Sequence, residues 1–323
     1  MLTILLKVIA NYVKTRPVRV SKQHKAFFKL IQEIGAYFNP MSHSGKMSRT
    51  GILSKQSFYV EAGGHRVAVE RFNPNGQTFD GGLPTIVFLH EGLGSIGQWR
   101  DFPAALCLMT GLPGLAYDRW GYGKSDPVTL PRPVRYLHEE ALTTLPEVLE
   151  KCEVGEAILV GHSDGGSMAL MFASIYPKQI LGIVTEAAHV FVEDVTVKGI
   201  EEAVQIYRTT DLPERLSKYH GANTDLMFRG WAETWLSPEF RSWNVEEYLP
   251  GVTCPVLAIQ GVDDQYGTPA QVESITGKVS GLARKLLIPA CGHIPHHEAR
   301  AVVLSEINRF VVDIFTHRQK NKK

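Results

Sequence analysis

Residues 156–167, EAILVGHSDGGS, run an apolar, β-forming segment straight into a cluster of small residues and on into a helix-forming stretch, SMALMFASIYP. The chain must turn from strand to helix within Gly161-His162-Ser163-Asp164-Gly165. Small residues on either side let the two elements approach closely, and the serine at the apex is held in a strained conformation. It projects at the helix N-terminus, where the backbone N–H of Asp164 points outward and can stabilise a developing negative charge on oxygen. A glycine-rich turn with an incidental serine has the same letters; the strand before and the helix after argue against it.

The same strand–helix rhythm runs through most of the chain. QSFYVEA and HRVAVERF, separated by Gly63-Gly64, predict a hairpin. PTIVFLHEGLGS is a buried strand ending in a glycine-rich loop. Strand and helix then alternate through GLAYDRWGYGKS, a helix over about 135–151, the serine turn and ILGIVTEAA. From about Phe191 to Gly251 the pattern changes to several short helices with Trp231, Trp235 and Trp243. Alternation resumes with CPVLAIQGVDD, a helix near 269–278, RKLLIPACGH and a closing helix over about 298–315. These repeated units predict an α/β protein with a mostly parallel, doubly wound sheet of about eight strands, covered by helices on both faces. Residues 51–190 and 252–318 form the core. Residues 191–251 form a small helical cap inserted after the sixth strand, above the carboxyl ends of the strands, where such folds bind ligands.

Composition adds exclusions. A hydrophobic content of 44% with 21% charged residues fits a soluble globular chain, and a net charge of +1 gives no reason to expect nucleic acid. Cys107, Cys152, Cys254 and Cys291 form no CxxC pair, which favours free thiols in a reducing, cytoplasmic setting. Residues 1–50 hold nine Lys or Arg and one acid, Glu33. This basic extension places Leu2, Leu5, Ile9 and Val13 near one helical face. It is interrupted too early by Lys7 to span a membrane. Two readings stay open: a helix or frayed extension of the domain, or a segment for weak membrane-surface contact or organelle targeting.

With LHEGLGS, YDRWGYGKS, GHSDGG, GVDDQYG and CGHIPHHE in that order, the chain from about Ser57 to Phe315 resembles the α/β-hydrolase family. A serine hydroxyl needs a neighbouring base that a third group orients, and in this family the order is serine, acid, histidine. Two acids, Asp263 and Asp264, follow VLAIQG; similarity to the family's G-x-x-D pattern selects Asp264, leaving Asp263 as a turn residue. The base must stand at the carboxyl end of the last strand, so His293, the first histidine after RKLLIPA, is the candidate, and it matches the family's Gly-His pattern. A metal cluster of His293, His296, His297 and Glu298 has suitable ligand types but no recognised spacing. No metal or cofactor is expected. His296 and His297 are read as partly exposed residues or helix-entry contacts.

The resemblance places the second oxyanion donor in the loop after TIVFLH, on Gly92. There Glu91 stands where the family commonly has glycine. Glu91 either points to solvent or a neighbouring loop, or lines the pocket near Asp164 as an acidic rim that disfavours anionic substrates. Trp231 and Trp235 either wall the pocket or belong to the core. His162 is expected to pack within the elbow, and Asp118 and Arg119 to tie loops together; His189 and His220 carry no assignment. The resemblance implies a serine hydrolase cleaving a small carboxylic ester, thioester or lactone. Two alternatives remain: carbon–carbon bond hydrolysis of a β-diketone-like substrate, needing carboxylate binders such as Arg229 or Arg241, and a ligand receptor on a hydrolase fold.

Overall fold

The structure, a computed structural model, describes residues 52–76 and 82–321; the expectations for residues 1–50 lie outside the described residues. The two alternating runs form the antiparallel hairpin β1 (Leu53–Ala62) and β2 (His65–Pro74), with Ala62 opposite His65. Gly63 and Gly64 both take positive φ, 60° and 75°, as a two-residue hairpin turn of this hand requires.

The remaining strands are β3 (Thr85–Leu89), β4 (Gly114–Tyr117), β5 (Ala157–His162), β6 (Ile180–Glu186), β7 (Val256–Gly261) and β8 (Ala283–Ile288). They form one eight-stranded sheet in the order β1-β2-β4-β3-β5-β6-β7-β8. Among the described strands only β1–β2 and β2–β4 pair antiparallel; from β4 to β8 every pair is parallel. β3, β4, β5 and β7 are buried along their whole length, so their sequences are continuously apolar rather than alternating.

The side chains nevertheless alternate between two cores. Ile86, Phe88, Ile158 and Val160 pack with Leu106 of α1 (Phe102–Thr110), while Val87, Leu89 and Leu159 pack on the other face with Met168. The segment read as one helix over about 135–151 is helical but not uniform. α2 (Tyr136–Glu139) and α3 (Leu145–Lys151) are joined by a π-helical turn, Glu140–Thr144. Buried Glu140 sits in that turn, with Oε1 3.5 Å from the guanidinium of buried Arg132.

The turn after β5 leads into α4 (Asp164–Ile175). Between β6 and β7 lie α5 (Asp194–Thr209), α6 (Leu212–His220), α7 (Thr224–Trp235) and three short 3-10 turns. Helices were expected here, but α5 is a full 16 residues long. α8 (Pro269–Lys278) follows β7. After β8 come α9 (Pro295–Glu298) and α10 (Arg300–Asn321), a closing helix longer than the sequence suggested, whose Val303, Ile307 and Phe310 join the core that holds Ile86, Phe88 and Leu106. No described helix is long and apolar enough to cross a membrane.

Candidate active site

Parallel strands bring their carboxyl ends to one edge of the sheet, and five of the loops leaving that edge meet in one cavity. It is lined by Glu91, Gly92 and Leu93 after β3, Ser163 and Asp164 after β5, His189 after β6, Tyr266 after β7 and His293 after β8. Thr196 and Ile200 of α5 and Trp231 and Trp235 of α7 complete the wall.

Ser163 sits at the apex of the turn with φ 50° and ψ −115°, a left-handed conformation that costs a side-chain-bearing residue on the order of 1–3 kcal/mol. The glycines around it are required by close approach. A Cβ on Gly161 would collide with the Gly165 carbonyl, and one on Gly165 with the carbonyl of Leu89 in the neighbouring strand. As the first residue of α4, Asp164 has no carbonyl one turn earlier to receive its N–H.

Of the two candidate acids the structure brings Asp264 to the histidine. His293 Nδ1–H donates to the Asp264 carboxylate at 2.9 Å, while Asp263 is exposed on the outside of the turn. Asp264 also accepts from the backbone N–H of Tyr266 (2.8 Å) and from Gln260 Nε2 (3.0 Å). Burial opposes the ionised form of Asp264, but His293 and these donors outweigh it and lower the carboxyl below its ordinary range. Burial likewise disfavours a charged His293, yet Asp264, with Glu91 and Asp164 nearby, holds the imidazole above its ordinary value.

The three histidines of CGHIPHHE separate. His296 is buried rather than partly exposed: its Nδ1–H and its backbone N–H both donate to Glu186 at the end of β6, at 3.1 and 2.9 Å. His297 lies nearer the surface, its pKa pushed down to about 4 by burial and by His296. Among the described residues no group of three or more His, Cys, Asp or Glu is arranged to hold a metal ion. His162 packs within the elbow and donates from Nε2 to the His293 carbonyl at 2.6 Å.

Glu91 lines the cavity, and burial pushes its carboxyl upward. Gly92 lies against Trp231 so closely that any Cβ would overlap the indole. Gly92→Ala is therefore expected to destabilise the fold by about 1–3 kcal/mol, as overpacking does. The urea midpoint and the tryptophan emission of the variant check this; an unshifted midpoint would mean the indole simply moves aside. Trp231 and Trp235 are both core and cavity residues, since Trp235 also packs on Phe240 and Trp243.

Sequence reasoning undervalued what lies beneath the elbow. Arg119, read as a loop tie, is fully buried and donates to Asp164 Oδ2 from both terminal nitrogens at 3.2 Å and to the Glu91 carbonyl at 2.7 Å. Its backbone N–H donates to His90 Nε2 at 3.1 Å. Tyr136, which no motif marked, donates to the same Asp164 oxygen at 2.9 Å and accepts from Trp235 Nε1 at 2.8 Å. Two unassigned histidines also find places. His220 donates from Nε2 to the Leu93 carbonyl and accepts the Gly123 N–H at Nδ1. His189 donates from Nε2 to the Tyr266 carbonyl and lines the cavity. The position of His189 just past a parallel strand's carboxyl end was the available signal.

The chain is similar to known proteins in sequence and fold. A sequence model of the alpha/beta hydrolase family matches residues 86–306. A 2-succinyl-6-hydroxy-2,4-cyclohexadiene-1-carboxylate synthase of Enterobacter sp. (strain 638) is 31% identical over 117 residues, 36% of this chain and 42% of that protein. The human serine hydrolase BPHL is 27% identical over 191 residues, 56% of this chain and 63% of that protein. The chain thus spans less than two thirds of either relative's length. The enol-lactonase from Burkholderia xenovorans LB400 shares the fold at 20% identity, with a TM-score of 0.60 over 80% of this chain and 99% of that one.

Proposed function

The chain belongs to the alpha/beta hydrolase family, and on that footing we propose that it is a serine hydrolase cleaving a small carboxylic ester, thioester or lactone. The observation that carries this reading is the Asp264–His293 pair at 2.9 Å opening on the same cavity as a serine held at positive φ. With Nδ1 tied to Asp264, His293 has Nε2 free to take the Ser163 proton as the hydroxyl attacks the carbonyl. The N–H groups of Asp164 and Gly92 receive the oxyanion. His293 then protonates the leaving group and activates the water that releases the acid. The helices over 191–251 act as a cap, closing the cavity over the core formed by 51–190 and 252–318.

A fluorophosphonate probe tests the reading directly. Labelling of the native protein that disappears in Ser163→Ala supports an activated serine; labelling independent of Ser163 or absent altogether would overturn it. A ligand receptor on this fold would give no turnover of any ester in a p-nitrophenyl series of increasing acyl length. Carbon–carbon bond hydrolysis would call for a cationic side chain to hold the substrate carboxylate. Among the described residues no Lys or Arg lines the cavity, and Arg229 and Arg241 are engaged with Asp225 and Glu233 and with Asp194. Ester cleavage is therefore the better supported of the two.

The base must be neutral to act, and Asp264 raises its pKa. The acid limb of kcat/KM is expected to turn above the ordinary histidine value, activity rising with pH through it. In Asp264→Asn kcat should fall by about 10⁴-fold, with any residual limb moved to lower pH. Asp263→Asn should leave both unmoved. A limb that stays put in Asp264→Asn would separate it from His293.

A further inference from the structure

The cavity holds two carboxylates, and they are treated differently by their surroundings. Asp164 is neutralised by Arg119 and bonded by Tyr136. Among the described residues the Glu91 carboxylate accepts no hydrogen bond and enters no ion pair, and the cavity wall contributes no Lys or Arg to it. The two imidazoles on the wall are committed, His189 to the Tyr266 carbonyl and His293 to Asp264. An unpaired carboxylate in a partly dry site is costly, and a positive charge brought in by a ligand removes that cost. Beside Leu93, Thr196 and Ile200, the wall carries three aromatic rings, Trp231, Trp235 and Tyr266, of the kind that attract alkylammonium groups.

We propose that Glu91 is a specificity residue that selects substrates carrying an ammonium group, held against its carboxylate within the aromatic wall. This deepens the hydrolase reading and rests on it. Glu91 is the second residue past the end of β3 at Leu89 and sits beside Gly92, so a cation bound there lies next to the reacting carbonyl. The committed state of Asp164 makes Glu91, rather than the residue after the nucleophile, the available charge.

The test uses matched pairs that differ only in charge. On the acyl side these are the p-nitrophenyl esters of 4-(trimethylammonio)butanoate and 5,5-dimethylhexanoate; on the alcohol side, choline butyrate and 3,3-dimethylbutyl butyrate. Each kcat/KM is divided by the ester's own alkaline hydrolysis rate. The native enzyme is expected to favour the cation at least about tenfold on one side, as a charge-assisted contact would. Glu91→Gln should bring that ratio close to one. A native ratio near one on both sides overturns the proposal without any variant. So does a ratio that survives Glu91→Gln, or a variant that slows both esters equally, which would assign Glu91 to His293 instead. If no ester is cleaved and no Ser163 labelling occurs, the hydrolase reading is what failed. The charge preference is then read by calorimetry with 4-(trimethylammonio)butanamide against 5,5-dimethylhexanamide, and equal affinities overturn it.

Discussion

Ser163→Ala is expected to lower kcat by about a millionfold, with a urea midpoint no lower than that of the native protein. Losing the nucleophile leaves only the oxyanion donors and binding to accelerate the reaction. The fold loses nothing comparable, because among the described residues the hydroxyl makes no hydrogen bond to offset the strained backbone at φ 50°. Ser163→Gly, which accepts that conformation freely, should be at least as stable as the native chain. His293→Ala should cost a similar factor in kcat. The double variant should be no slower than either single one, since the two side chains act as a unit. Steady-state kinetics on a p-nitrophenyl ester, with the urea curves beside it, reads all three. Additive losses, or a Ser163→Ala variant with more than about 1% of native activity, would remove Ser163 from the role proposed for it.

Arg119→Met should be the most damaging substitution for stability, at about 3–5 kcal/mol. Arg119 and Asp164 are each about 1% exposed, so removing the guanidinium leaves a carboxylate stranded in the interior with only Tyr136 as donor. The loss reaches function too. The same guanidinium anchors the Glu91 carbonyl and packs over the Tyr122 ring at 4.4 Å, fixing the loop that carries Gly92 against the turn that carries Asp164. Both proposed oxyanion donors thus hang on one side chain. Asp164→Asn added to Arg119→Met should recover part of the stability, because a neutral amide is cheaper to bury than an unpaired charge. Should Arg119→Met prove too unstable to isolate, Tyr136→Phe gives a graded version, near 1 kcal/mol. A loss below about 1 kcal/mol in Arg119→Met would mean that solvent reaches Asp164 after all.

The fold was readable because its determinants are local. Buried parallel strands announce themselves as continuous apolar runs, the hairpin by Gly63-Gly64, and the elbow by small residues wedged between a strand and a helix. Element ends were less readable. α10 runs to Asn321 and α5 fills 16 residues, because amphipathic pattern indicates a helix better than it indicates where it stops. The π turn at Glu140–Thr144 left no trace in the periodicity, since a single extra residue in a turn shifts the register only slightly.

Motif order and strand-end position alone put Ser163, His293 and the Asp263-Asp264 pair on loops that a parallel sheet brings to one edge. That much is geometry of the chain. The resemblance singles out Asp264 of the pair; the tertiary structure decided that His296 serves Glu186 and that Glu91 faces the cavity. It also joined Arg119 and Tyr136 to Asp164 across 45 and 28 residues. These outcomes depend on which polar groups find partners once water is excluded. That balance is struck between segments distant in sequence, so no local pattern records it.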